Sequence, residues 1–269
     1  MLTKLLKHDL HNLLILVGPL YLVALCLTVT NGIIYRLNVV FDVESSFISG
    51  YIISTIFEIF GSFSGFAIFA IMPVTAILFA AQLYKSLFSR EGYLTNTLPV
   101  TAHQIILSKT LAGAIVTVCS TLAIAALGFL FVAIIDPEAL AEALADIPDI
   151  LDFFGYLDEI GLIIISSLAL GLVMTFFVPL HATFSFALGH LTRYKVVMSI
   201  VYYVVLQNFV VQAINAAIMI FWSNNEYYFL ESPEAMSQMI FTFALAYAVL
   251  SVVFYFASVH ILDKKLNLT

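Results

Sequence analysis

Charge is scarce in this 269-residue chain: Lys, Arg, Asp and Glu together make up 10% of it. A soluble domain carries about a quarter charged residues, so an ordinary water-soluble globular fold is excluded. Cysteine is nearly absent. Cys26 and Cys119 both lie inside apolar runs, which excludes a disulfide framework and leaves them as small buried hydrophobes. No Gly-Lys dipeptide occurs, so a G-x-x-x-x-G-K phosphate loop is excluded. No nucleic-acid signature is present, and no clustered His, Cys or carboxylate spacing points to a metal site. The N-terminus has no signal-peptide pattern: its first apolar run is long and no small-residue cleavage site ends it, so it reads as a retained span.

What the chain has is apolar length. Hydrophobic residues make up 62% and the mean hydropathy is +1.08. Runs of about 20 apolar residues cross a hydrocarbon core of about 30 Å, and each such span must satisfy its own backbone hydrogen bonds. The expectation is an all-α polytopic membrane protein, a single domain over 1–269. Leu2, Leu5, Leu6, Leu10 and Leu13 recur at helical spacing, with Lys4, Lys7, His8 and His11 on the other side. They predict an amphipathic interfacial helix at 2–12. Six transmembrane helices follow at about 13–35, 48–83, 105–135, 160–187, 196–222 and 237–262, with Pro19 a kink in the first. The second exceeds one membrane thickness and is expected to project or bend near Glu58 and Gly61.

The cations orient these spans. With the N-terminus inside, Lys4, Lys7, Lys85, Arg90, Lys109, Arg193, Lys195, Lys264 and Lys265 fall on the cytoplasmic side and Arg36 alone outside. Under the positive-inside rule both termini are cytoplasmic. Eight carboxylates from Asp136 to Glu159 gather in one outer loop, so the net charge of -7 reflects acidic outer loops rather than a basic soluble partner. In that loop Asp136 can cap a helix and Pro137 suits its first position. The loop reads as a solvated cap or, alternatively, an outer gate.

The stretch LFSREGYLTNTLPVTAHQIILSK, from Leu87 to Lys109, separates the second and third spans. Ser89 suits a helix N-cap, Glu91 the positive end of the helix dipole, and Pro99 a stop. Tyr93, Leu94 and Leu98 form a small apolar face. By itself this is a short helix on a cytoplasmic turn, or an ordinary interfacial turn. The residues Glu91, Leu94, Leu98-Pro99-Val100, Thr101, Ile105-Ile106-Leu107 and Lys109 resemble the corresponding segment of ABC-2-type ABC transporter permeases, although Thr101-Ala102-His103 stands where many relatives have Ser-Arg. The likeness extends to six spans and an N-terminal amphipathic helix, and is closest to bacterial lantibiotic- and phenol-soluble-modulin-type peptide exporters. It implies a coupling helix, with Arg90, Glu91, Gly92, Tyr93, Leu94, Leu98 and Pro99 seated on a separate ATPase subunit that holds ATP and Mg. It implies a second permease copy, a homodimer, in a bacterial plasma membrane, exporting amphipathic peptide or other hydrophobic cargo. The chain itself would then be neither an enzyme nor a cofactor binder. An intramembrane enzyme and an ion-coupled transporter are the alternatives. Both ask for ionisable residues within the spans, where Glu58 is the carboxylate inside an apolar run.

Further candidates lie inside the spans. Gly61 and Gly65 form a G-x-x-x-G pattern suited to close helix approach. Phe57, Phe60, Phe63, Phe66 and Phe69 recur every third residue, a spiral that mostly faces lipid or neighbouring helices. Phe60 and Phe63 are candidates for lining a conduit. Asn208, Gln212 and Asn215, spaced four and three apart, predict one amide face that either lines a path or joins two copies. His181, after Pro179, reads as a helix–helix hydrogen bonder rather than a metal ligand. Asn267-Leu268-Thr269 matches a glycosylation sequon but falls on the cytoplasmic end.

Overall fold

The computed structural model describes residues 2–40, 48–88, 101–145, 160–223 and 233–264. Their regular elements are all helical: α1 Leu2–Val40, α2 Ile48–Phe88, α3 Ala102–Ile135, α4 Pro137–Ala145, α5 Ile160–His190, α6 Lys195–Val205, a π-helical turn Leu206–Val211, α7 Gln212–Ser223 and α8 Pro233–Lys264. Six helical segments are long and apolar enough to cross a membrane, and the chain is a polytopic membrane protein. The residues expected to form the coupling helix, Arg90 to Pro99, lie outside the described residues, as do Asp146 to Glu159 of the outer loop and the C-terminal sequon.

The N-terminal helix is present and runs on into the first span as one 39-residue helix through Pro19. α2 is helical through Glu58 and Gly61 and has 41 residues. At 1.5 Å per residue it is about 60 Å long, twice the hydrocarbon thickness. Local signals set the starts of α3 and α4. The Thr101 Oγ1 accepts from the Gln104 N–H and the Thr101 N–H donates to Gln104 Oε1, both at 3.4 Å, a reciprocal capping box. Asp136 Oδ1 accepts from the Ala139 N–H at 2.9 Å, and Pro137, which has no N–H to satisfy, opens α4 as its sequence requires.

The helices divide into two compact units. One comprises Leu14–Leu78 and Val116–Leu151. Its core is Ala24, Ile71 and Leu127, with Leu20, Tyr21, Ile68 and Ile124 packed against them. A polar thread joins α1, α2 and α3 within it: the Tyr21 and Ser120 hydroxyls are 2.6 Å apart, and Ser120 reaches Thr75 Oγ1 at 3.3 Å. Interhelical polar contacts in membranes average only about 0.6 kcal/mol, so Tyr21→Phe is expected to lower stability by about that amount in a denaturant titration of the detergent-solubilised protein. Gly32 in this unit faces Ile134, whose side chain would stand 3.0 Å from an added Cβ. Gly65, by contrast, has nothing within 4 Å, so this member of the G-x-x-x-G pair makes no close approach among the described residues. Of the every-third-residue phenylalanines, Phe66 and Phe69 are 73% and 79% exposed, while the side chains of Phe57, Phe60 and Phe63 lie outside the described residues.

The other unit comprises Met1–Leu13, Phe79–Ile115 and Asp152–Thr269. α5 packs along α8 and against α6 around Ile106, Phe177, Leu180, Val211, Tyr247, Phe254 and Val259. Phe177 sits edge-on to Tyr247 at 4.9 Å, and Phe184 stacks on Phe254 at 4.9 Å, aromatic geometries that add to their area burial.

Candidate functional site

The leucine stripe of α1 contains an acid. Asp9 lies four residues after Leu5 and four before Leu13, on the face that helical periodicity turns inward. Packing that face carries the carboxylate with it: Asp9 is 7% exposed and Leu13 2%, while Lys4, Lys7, His8 and His11 stay exposed on the opposite side. Burying an ionised carboxylate unpaired costs several kcal/mol. The pairing comes from α3. Lys109 Nζ lies 3.1 Å from Asp9 Oδ1, and Ser108 Oγ donates to Asp9 Oδ2 at 2.6 Å. Lys109 is itself 3% exposed and is the only Lys, Arg, Asp or Glu in α3.

The α2 helix completes the surroundings. Its Phe79, Gln82, Leu83 and Ser86 join Leu13 and Ala112 around a crevice of about 10 Å³ beside the pair, the space of one water molecule. The cluster therefore stands at the last turns of α2 and the first turns of α3, on either side of residues 89–100 in the chain. One carboxylate, one ammonium and one hydroxyl can lock α1 to α3 beside the end of α2. Among the described residues no three His, Cys, Asp or Glu gather to hold a metal ion.

This cluster was missed by sequence reasoning, although two signals marked it. A lone cation in an otherwise uncharged 34-residue helix needs a buried anion. An acid in the middle of a leucine stripe, away from the helix's own cations, is a candidate for that anion. Neither signal names its partner, because 100 residues separate Asp9 from Lys109.

Most of the residues singled out in the sequence cannot be placed with respect to this cluster, because they fall outside the described residues. Arg90, Glu91, Gly92, Tyr93, Leu94, Leu98 and Pro99 lie outside the described residues, and so do the side chains of Phe60, Phe63 and Glu58. The three amides do not act as one face within the chain. Asn208 and Gln212 are exposed, and Asn208 Nδ2 donates back to the Val204 carbonyl at 2.8 Å. Asn215 instead accepts from the Tyr247 hydroxyl of α8 at 2.8 Å. The cause is the π-helical turn at Leu206–Val211: its wider i→i+5 winding breaks the 3.6-residue register on which the spacing argument depends.

His181 is 1% exposed and enclosed by rings. It stacks on Phe177 at 5.6 Å and touches Tyr203 at 4.5 Å and Phe254 at 5.7 Å. Its Nε2 has no hydrogen-bond partner among the described residues, so ring packing rather than an Nε2 hydrogen bond holds it between α5, α6 and α8. No protein-family model, curated protein or solved structure matches this chain.

Proposed function

We propose that this chain is the membrane subunit of an ABC-type exporter, two copies pairing with two separate ATPase subunits, with both termini cytoplasmic. The observation that carries the reading is the Leu87–Lys109 segment: an acidic, aromatic, Leu-Pro-Val turn between the second and third spans, in a chain with no phosphate loop of its own. The buried cluster supports it. Asp9, Ser108 and Lys109 tie α1 to α3 beside the end of α2, so movement imposed on residues 89–100 would reach α1 through a stiff contact rather than a lubricated apolar one. In this mechanism ATP closes the ATPase dimer, the coupling segment moves with it, and the spans exchange between two packed states. Amphipathic peptide is the proposed cargo class.

The test is recovery of an ATP-binding subunit with the detergent-solubilised chain from its native membrane. Tyr93 and Leu94 are the proposed anchors. Burying a side chain of that size contributes about 1.5–3 kcal/mol, so Leu94→Asp is expected to weaken association about ten- to a hundredfold. Normal recovery and normal ATP-dependent transport by Leu94→Asp would reduce the segment to a turn.

One observation favours a second reading, a proton- or cation-coupled transporter: Asp9 is a buried carboxylate in a membrane helix. Proteoliposomes holding this chain alone separate the two. Uptake driven by an imposed proton gradient without ATPase or ATP supports the second, and its absence the first.

A further inference from the structure

The first turns of α5 and α8 enclose an open cavity of about 760 Å³, within the range of small-molecule sites and remote in sequence from Asp9 and Lys109. Its walls come from Leu162, Ile165 and Ser166 on α5 and from Glu234, Ser237, Gln238, Phe241 and Thr242 on α8. The cavity has a sequence cause. Deeper in the same helix pair the facing side chains are Phe177, Tyr247 and Phe254, which fill the interface. At the first turns the buried positions are Ser166, 4% exposed, and Ser237, 6% exposed. Serines leave the space that the aromatics close. Each spends its hydroxyl proton on its own helix, Ser166 on the Ile163 carbonyl at 2.9 Å and Ser237 on the Glu234 carbonyl at 2.8 Å. The floor therefore has no donor demanding a fixed polar partner.

The polarity is graded along α8. Glu234 stands in its first turn, where the positive end of the helix dipole favours a carboxylate, and among the described residues no cation pairs with it. Gln238 follows one turn deeper and Thr242 another. Leu162 and Ile165 on α5 and Phe241 on α8 present exposed apolar surface. From Glu234 to Thr242 the helix advances about 12 Å. An anionic mouth, an apolar wall and a floor without fixed demands complement a molecule with a positive head and an aliphatic tail.

We propose that this groove binds a cationic amphiphile, its ammonium at Glu234 and its tail along Leu162, Ile165 and Phe241. Charge complementarity at Glu234 selects this occupant over a neutral lipid or a second copy of the chain. The proposal does not rest on the permease reading. It applies to whatever positively charged amphiphile reaches this end of the bundle.

The full chain in lipid nanodiscs is exposed to a diazirine-bearing decylamine, irradiated, and the labelled residues are read by mass spectrometry. Labelling is expected to concentrate at Phe241 and its neighbours in the groove and to be competed by decylamine but not by decanol. Glu234→Gln should lower amine labelling there about tenfold, the loss of one charge-assisted contact, and leave labelling by the corresponding decanol probe unchanged. Ser166→Leu, which fills the floor, should remove labelling by both probes. Monodispersity of each variant and an unchanged Tyr21–Ser120 region by hydrogen exchange establish that the variants are folded. Equal amine labelling of the wild type and Glu234→Gln overturns the proposal. So does labelling no stronger at Phe241 than at the lipid-facing Leu122 and Leu245, which means simple partition into the bilayer. Photocrosslinked dimers through Phe241 would assign the groove to a second copy instead.

Discussion

Replacing either charge of the buried pair alone is expected to remove most of the folded protein. In Asp9→Leu the buried Lys109 ammonium loses its carboxylate partner; in Lys109→Met the carboxylate loses its cation and keeps the Ser108 hydroxyl. Breaking one side of a buried ion pair costs about 3–5 kcal/mol, a large part of the roughly 5–15 kcal/mol by which a protein is stable. The double variant Asp9→Leu/Lys109→Met removes both charges and keeps side chains of similar length and branching, so it should recover much of that loss, because the pair's mutual attraction mainly offsets its own desolvation. The measurement is the monodisperse fraction after graded heating in detergent, across the two singles and the double. Two additive losses, with no recovery in the double, would mean that the pair is hydrated and that the α1–α3 contact does not depend on it. The recovered double variant has a second use. Under the exporter proposal, a double variant that binds an ATPase subunit but fails to transport would assign the pair a part in coupling, beyond cementing the helices.

The second large effect is expected at Gly189. The C-terminal turn of α5 meets α6 with backbone in contact: an added Cβ would overlap Ser199 Oγ and lie 2.5 Å from the Ser199 N and Cα. Ser199 cannot step aside, since it is 1% exposed and its hydroxyl is held by the Lys195 carbonyl at 2.7 Å. The turn between the helices is also pinned, with Thr192 donating both its N–H, at 3.1 Å, and its hydroxyl, at 2.7 Å, to the Gly189 carbonyl. Gly189→Ala must therefore push α5 and α6 apart. Overpacking of this kind costs about 1–3 kcal/mol and occasionally more, and Gly189→Leu should cost more than Gly189→Ala. Ser199→Gly in the Gly189→Ala background should restore part of it. The same thermal assay reads the order. Wild-type stability of Gly189→Ala would show that the hairpin is looser than its geometry indicates. Gly113 is a parallel case on α3, where an added Cβ would lie 2.7 Å from both Phe79 and Pro179.

These two sites mark the line between what was legible in the chain and what was not. The spans were legible because each is a one-dimensional property: enough apolar residues in succession to cross a bilayer, with helix as the conformation that satisfies its backbone. The cap at Asp136-Pro137 was legible for the same reason, since it acts over three residues; the Thr101–Gln104 box at the start of α3 is as local, yet only the structure brought it out. The leucine face of α1 was also readable, and the helix does pack on it. Its acid was passed over because a short amphipathic stretch beside four basic and imidazole side chains looks interfacial, and Asp9 counts there as one more polar residue. In the fifth span, spacing converts to a face only while the helix keeps 3.6 residues per turn, and the π turn interrupts it: Asn208 and Gln212 stay exposed while Asn215 meets Tyr247.

The sequence by itself determined that this is an all-helical membrane protein with six spans, where several of its helices begin, and that it carries no G-x-x-x-x-G-K phosphate loop. Those are consequences of local composition, which solvent and backbone hydrogen bonding read residue by residue. Only the tertiary structure decided that Asp9 and Lys109 meet, that Gly189 rather than Gly65 carries a backbone contact, that His181 is caged by rings, and that two serines open a groove under Glu234. Each depends on which helix faces come together, and two lipid-compatible helices give little sequence sign of their pairing, because in an apolar solvent hydrophobicity no longer says which side is inside.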